Sequence, residues 1–319
     1  MRGEVVTAFP LDPDAAAIAA AVADAPPMRE RGIEAVRASL EAAPHPPNLP
    51  AMAVTEEHLV PGTHGDIPLR VHRPTTENGA PVIVYFHGGG MCMGSNHSFE
   101  PVARNLAHHS GAVVVAVEYR LAPEAPPPAQ FDDAWTATAW VAENADDLGV
   151  DPARLAVVGD SAGGTLAAAV ALAARDRGGP AIACQVLIYP GVDRDLAATS
   201  ITRYADAPIL SRDDVLYLNE LADSGQGAPD SPYRIPAYAA DLSGLPPAIV
   251  VTGECDPIRD WGERYAARLR EARVQTTLTR YPGVPHGFVL QADYLARGRL
   301  AVAETGALLR AKFAYPLPF

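Results

Sequence analysis

The chain has 319 residues, 48% of them hydrophobic and 20% charged, and carries a formal net charge of −13. That length and apolar share suit one large α/β core with accessory segments better than two independent domains. An acidic balance without a basic block sets aside nucleic acid as the main partner. The start, MRGEVVTAFPLDPD, interrupts any apolar run with acids, so no secretory signal is read there. The uncharged run from Ala162 to Ala174 is too short to cross a bilayer, and no stable membrane insertion is expected. Cys92, Cys184 and Cys255 are odd in number, widely spaced and without a C-x-x-C pair, which fits free thiols in a reducing cytoplasm.

Residues 1–50 are read as short amphipathic helices. Asp12 can cap a first one with Pro13 at its opening position, and Ile18 and Val22 share a face. A second begins near Pro27 with the apolar stripe Ile33, Val36 and Leu40, and PHPPNLP at 44–50 stops it. Two such helices cannot bury their stripes alone, so they lie on the main body, either as a lid over a pocket or as plain packing. From residue 66 the pattern turns to strands and helices in alternation. Strands are expected at IPLRVHRP, 81–86, 111–119, 155–159, 184–189, 247–252 and VQTTLTRY. Helices are expected from Phe131 to about Asp147, over 257–272 and over 291–312. This alternation predicts a mostly parallel central sheet flanked by helices on both sides. Residues 193–235 break the rhythm with a helix at 211–222 and read as an insertion on the carboxyl edge of the sheet.

The chemistry starts at LAVVGDSAGGTLAAAV, residues 155–170, where an apolar strand meets an alanine-rich helix at Gly159-Asp160-Ser161-Ala162-Gly163. A serine in that corner needs small neighbours two before and two after, and it stands at the positive end of the helix. Ser161 is therefore the candidate nucleophile. A serine hydroxyl also needs a base and a pair of donors for the charge that develops. HGGG at 87–90 follows a strand directly, and the amides of Gly88 and Gly89 with that of Ala162 are the candidate oxyanion hole. A flexible glycine turn is the plain alternative; a phosphate loop lacks the lysine–serine/threonine pair it would need. Asp256 follows the strand 247–252 and is the candidate acid, although with Pro257 behind it the same residue also suits a helix cap. Glu254 and Asp260 are alternative carboxylates. His286, in the loop PGVPHGF after the last strand, is the candidate base, whereas His45 and His58 read as solvent-facing and His108-His109 as a helix end. No histidine or cysteine spacing suggests a metal, and no cofactor is expected. The order Ser161, Asp256, His286 is that of α/β-hydrolases.

These pieces together resemble the hormone-sensitive-lipase-like branch of α/β-hydrolase esterases, the bacterial family IV esterases. The matching segments are HGGG (87–90), YRLAPE (119–124), FDDAW (131–135), GDSAGG (159–164), DPIRD (256–260) and HGF (286–288), spanning residues 81–288. The resemblance implies an α/β-hydrolase catalytic domain over 51–319, with a helical cap built from residues 1–50 and an insertion around 193–235. It implies Ser161 as nucleophile, His286 as base, Asp256 as its orienter, and Gly88, Gly89 and Ala162 as oxyanion donors, acting on a small-molecule ester. In the resembling group, pairing of edge strands or helices into a homodimer is common. Met91, Cys92 and Met93 follow HGGG here, where an aromatic residue commonly stands, so pocket size is open to change. Short- to medium-chain acyl esters are expected, because nothing suggests an interfacial anchor. An amidase or arylformamide-type hydrolase on the same fold is the alternative activity, and a non-catalytic small-molecule receptor is a further one that an intact triad opposes.

Overall fold

The computed structural model describes residues 10–223 and 231–316. The strands are β1 Val54–Gly62, β2 Gly65–Arg73, β3 Ala80–Phe86, β4 Val113–Val117, β5 Val150–Asp160, β6 Cys184–Ile188, β7 Ala248–Gly253 and β8 Thr276–Tyr281. The helices are α1 Pro13–Val22, α2 Met28–Arg31, α3 Ile33–Glu41, α4 Glu100–Ser110, α5 Ala129–Glu143, α6 Ala162–Arg177, α7 Thr199–Arg203, α8 Arg212–Ala222, α9 Arg259–Glu271 and α10 Ala296–Ala314. The strands form one eight-stranded sheet in the order β1-β2-β4-β3-β5-β6-β7-β8. β2 runs antiparallel to both β1 and β4, and every other pair is parallel, so the sheet is mostly parallel as its alternation predicts and has the α/β-hydrolase architecture that the resemblance implies.

The inner strands are apolar on both faces because both faces are covered. Along β3, Val82, Val84 and Phe86 join one core with α5, α6 and α9, while Ile83 and Tyr85 join the other with α4 and α10. The alternation follows from the two-residue period of a strand. Alanine fills α6 from Ala167 to Ala169 and from Ala173 to Ala174, all buried, so the helix lies close against β5 and brings its first turn to the strand's end. The six consecutive parallel strands β4, β3, β5, β6, β7 and β8 bring the segments after Phe86, Asp160, Ile188, Gly253 and Tyr281 to one edge of the sheet.

Several boundaries differ from the sequence expectation. Asp12 does cap α1, accepting from the Ala15 amide at 2.9 Å. The helix expected near Pro27 is broken in two at Gly32, whose φ of +73° no helix can absorb. Its stripe is nonetheless used: Val36 is buried, and Ile33 and Leu40 pack on the two cores. β1 was not anticipated. It is an edge strand with only Val60 buried, so it lacks the alternation that marks a half-buried strand. Residues 1–9 and 224–230 of the expected cap segments lie outside the described residues. Within the rest, α2 meets α8 through Arg29, which donates to Glu220 at 2.7 Å. Among the described residues, no helix is long and apolar enough to cross a membrane.

Candidate active site

Ser161 links β5 to α6 with φ 54° and ψ −117°, a conformation costing a non-glycine residue about 1–3 kcal/mol. The surroundings impose it. A Cβ on Gly159 would come within 2.1 Å of the Gly163 carbonyl oxygen, and one on Gly163 within 1.9 Å of that of Phe86. Both flanking glycines are thus required by close backbone approach. The Ser161 amide donates to Ile188 O at 2.8 Å, and its carbonyl accepts from Thr165 and Gly191, each at 3.1 Å. The corner is held from both sides, and Ser161 faces the cavity.

Three side chains distant in sequence converge there. His286 Nε2 lies 2.9 Å from Ser161 Oγ, and His286 Nδ1 lies 2.8 Å from Asp256 Oδ2. An ionised carboxylate only accepts, so Nδ1 carries the proton and Nε2 is left to accept the serine hydroxyl. Asp256 is fully buried, and its other oxygen accepts from the Ile258 amide at 2.8 Å. It therefore closes a turn after β7; the helix behind it starts two residues later than expected, at Arg259. The other carboxylates are committed elsewhere. Glu254 accepts from the Gly283 amide at 2.9 Å, and Asp260 accepts from the Ser200 amide at 2.9 Å and pairs with Arg259. The ring of Tyr189, 4.7 Å from that of His286, backs the imidazole.

The triple-glycine loop lies beside the serine because Gly163 packs on the carbonyls of Phe86 and His87. Gly88 is buried and packs on Asp160, whose Oδ2 a Cβ at Gly88 would approach to 2.5 Å; Gly89 and Gly90 are half-buried, and Gly90 reaches the cavity. Ala162 opens α6, where the first amides have no partner within the helix. Sequence reasoning assigned Asp160 no role. Tyr85, on the strand before HGGG, donates to it at 2.6 Å, so a wholly buried carboxylate sits directly behind the glycine loop. Burial raises its pKa to about 6 against the opposing hydrogen bond from Tyr85.

Two buried histidines titrate in the opposite sense. Burial lowers both His72 and His87 to about 4. His87 is stacked between Tyr119 and Phe99, with centroids 4.3 and 5.3 Å away. A histidine depressed from 6.5 to about 4 gives stability that is complete above pH 6.5 and drains as pH falls through that window, by about 3 kcal/mol each. Asp160 works the other way: its stability contribution falls as pH rises from about 4 to about 6, by about 3 kcal/mol. The histidines together outweigh it, so the urea midpoint is expected to drop between pH 6.5 and 4. His72→Gln should shed less stability than wild type across that interval; parallel curves would contradict the assignment.

A cavity of about 260 Å³ opens on Ser161 and Ala162. Met91, Leu166, Leu210, Val215, Leu218 and Trp261 supply its apolar wall, and Arg177, Arg194, Asp223 and Arg234 a charged part. Met91 is thus a pocket residue, as the unusual sequence after HGGG led one to ask. Residues of α8 line the cavity, whereas among the described residues none before residue 51 does. The motifs YRLAPE and FDDAW meet in a structural pair, Arg120 gripping buried Asp133 through two contacts of 2.8 and 2.7 Å. Away from the cavity, His45, His97 and Glu100 bring metal-ligand atoms together, but Glu100 is already paired with Arg70 at 3.1 Å and Arg104 at 3.0 Å. His45, expected in solvent, is half-buried there and within 2.9 Å of the His97 carbonyl.

Known proteins share this arrangement of chain. A family model described as alpha/beta hydrolase fold matches residues 83–290. The carboxylesterase NlhH of Mycobacterium tuberculosis is 46% identical over 264 residues, covering 81% of this chain and 82% of its own. The esterase LipI of the same organism is 42% identical over 279 residues, covering 84% and 86%. Among solved structures, the hyperthermophilic esterase of the archaeon Pyrobaculum calidifontis is similar with a TM-score of 0.86 at 40% identity, covering 95% of this chain and 99% of that one. The chain belongs to the α/β-hydrolase family, and its resemblance to the hormone-sensitive-lipase-like branch holds.

Proposed function

We propose that this protein is a carboxylic ester hydrolase that cleaves short- to medium-chain acyl esters through an acyl-enzyme on Ser161. The observation that carries the reading is the unbroken line Ser161 Oγ, His286 Nε2, His286 Nδ1, Asp256 Oδ2, with links of 2.9 and 2.8 Å. Similarity to curated esterases over four-fifths of the chain supports the same class. In this scheme His286 takes the serine proton as Oγ attacks the ester carbonyl, and Asp256 steadies the imidazolium. The tetrahedral oxyanion rests on the amides of Gly88, Gly89 and Ala162. His286 next protonates the departing alcohol, and water releases the acid by the same route.

The stretch 193–235 acts as a cap in this reading, since Leu210, Val215 and Leu218 roof the cavity over Ser161. The helices before residue 50 brace it from outside through Arg29 and Glu220. With three buried free thiols, the protein is suited to the reducing cytoplasm. The cavity, about 260 Å³, falls below the range of about 300–1,000 Å³ common for drug-sized ligands, which favours short acyl groups. Hydrolysis of p-nitrophenyl esters from acetate to decanoate tests this. kcat/KM is expected to peak among the shorter chains and to fall about tenfold or more by decanoate. A steady rise to decanoate would refute the size argument, and no hydrolysis of any ester would refute the activity.

A further inference from the structure

The loop that follows HGGG is gripped from outside the cavity by one helix. Arg37, on α3, donates from Nε to the Cys92 carbonyl at 2.6 Å and from Nη2 to the Ala122 carbonyl at 2.8 Å. The same guanidinium holds Glu124 through two contacts of 2.7 and 2.8 Å. One turn further along α3, Glu41 accepts from the Ser95 hydroxyl at 2.8 and 2.9 Å. Residues four apart share a helix face, so α3 presents a cation and an anion to a single loop.

What Arg37 touches lies one step from the candidate oxyanion donors. The Cys92 and Met93 amides both donate to the Gly89 carbonyl, at 2.9 and 3.0 Å, closing one tight turn over residues 89–93. The Ala122 amide donates to the Met91 carbonyl at 2.8 Å, so the two carbonyls that Arg37 binds belong to segments already joined at Met91. Fixing Cys92 and Ala122 holds the turn that the Gly89 carbonyl closes, and that carbonyl is one α-carbon away from the Gly89 N–H. Arg37 itself does not line the cavity. A planar guanidinium with five donors can satisfy all these acceptors at once; an ammonium cannot.

Resting on the esterase reading above, we propose that Arg37 is a positioning residue: it sets the glycine loop that stabilises the oxyanion and so ties the seating of α3 to the rate of the chemical step. Loss of one oxyanion donor commonly costs about 10²–10³ in kcat, and a displaced donor costs less. Arg37→Ala is therefore expected to lower kcat on p-nitrophenyl butyrate by about 10- to 100-fold while KM moves less than about threefold. Its affinity for an alkyl trifluoromethyl ketone, which forms an oxyanion adduct on the serine, should fall by a similar factor. Affinity for hexanol, which fills the cavity without an oxyanion, should not change. Millimolar guanidinium should restore part of kcat.

Arg37→Lys and Glu124→Gln keep the test decisive if the alanine variant folds poorly. Lysine should recover only part of the rate, and Glu124→Gln, which leaves Arg37 on Cys92, should stay within about threefold of wild type. The proposal is overturned if Arg37→Ala turns over within twofold of wild type. It also fails if ketone and hexanol affinities fall together, or if the kcat loss disappears once rates are corrected for the folded fraction. Wild-type-like hydrolysis by Ser161→Ala would instead strike the acyl-enzyme scheme on Ser161, and no hydrolysis by wild type the esterase reading itself, neither through any change at Arg37.

Discussion

Ser161→Ala is expected to abolish both the p-nitrophenol burst and steady turnover, by about 10⁶-fold in kcat, with folding preserved. The size of the effect follows from the role: without Oγ there is no acyl-enzyme, and only binding and the oxyanion donors remain to help water. Folding should survive because the backbone strain at this corner belongs to φ 54°, which alanine shares, and is enforced by the Gly159 and Gly163 contacts. The variant loses the hydroxyl's 2.9 Å contact with His286, worth about 1 kcal/mol net. Thermal melts of the two proteins should accordingly lie close together. Mass spectrometry after brief exposure to p-nitrophenyl butyrate should show an acyl adduct on the wild type and none on the variant. Activity well above a trace, with the protein folded, would mean that another group does the attacking.

Much of this site was legible before any coordinates because its parts are local. The strand–corner–helix around Ser161 carries its own signature in Gly159, whose need for a missing Cβ is a contact with Gly163 four residues on, although Gly163 itself is demanded by the distant Phe86 carbonyl. Asp256 and His286 were legible because each follows a parallel strand, and parallel strands deliver their ends to one edge. The competing carboxylates Glu254 and Asp260 could be separated only by their partners, the Gly283 and Ser200 amides, which lie far away in sequence. Arg37 shows the same limit more sharply. Nothing in IEAVRASLE distinguishes it from a solvent-facing arginine, since its acceptors are 55 and 85 residues distant. The buried carboxylate behind the glycine loop was also hidden, because Tyr85 holds Asp160 across 75 residues, a contact that the motif's spacing does not encode. β1 escaped because an edge strand with one buried side chain has no apolar rhythm to read.

Asp256→Asn is expected to cut kcat by about 10⁴-fold with little change in KM. The reason is the tautomer. With a carboxylate at 2.8 Å, Nδ1 must carry the imidazole proton; an amide can turn its NH₂ toward Nδ1, and the proton then moves to Nε2. In that state Nε2 faces Ser161 as a donor and can no longer take the hydroxyl proton. The fold should be spared, because the asparagine oxygen can still accept from the Ile258 amide, the other bond Asp256 makes. Asp260→Asn gives the contrast. Asp260 carries the Ser200 amide and the Arg259 guanidinium, so its loss is expected to lower the melting temperature while kcat stays within about tenfold. Glu254→Gln, which keeps an acceptor for the Gly283 amide, should change neither by much. Steady-state kinetics and melting curves on the three variants side by side separate the roles. A large kcat loss in Asp260→Asn together with a mild one in Asp256→Asn would overturn the assignment of Asp256 and move the orienting role to residue 260.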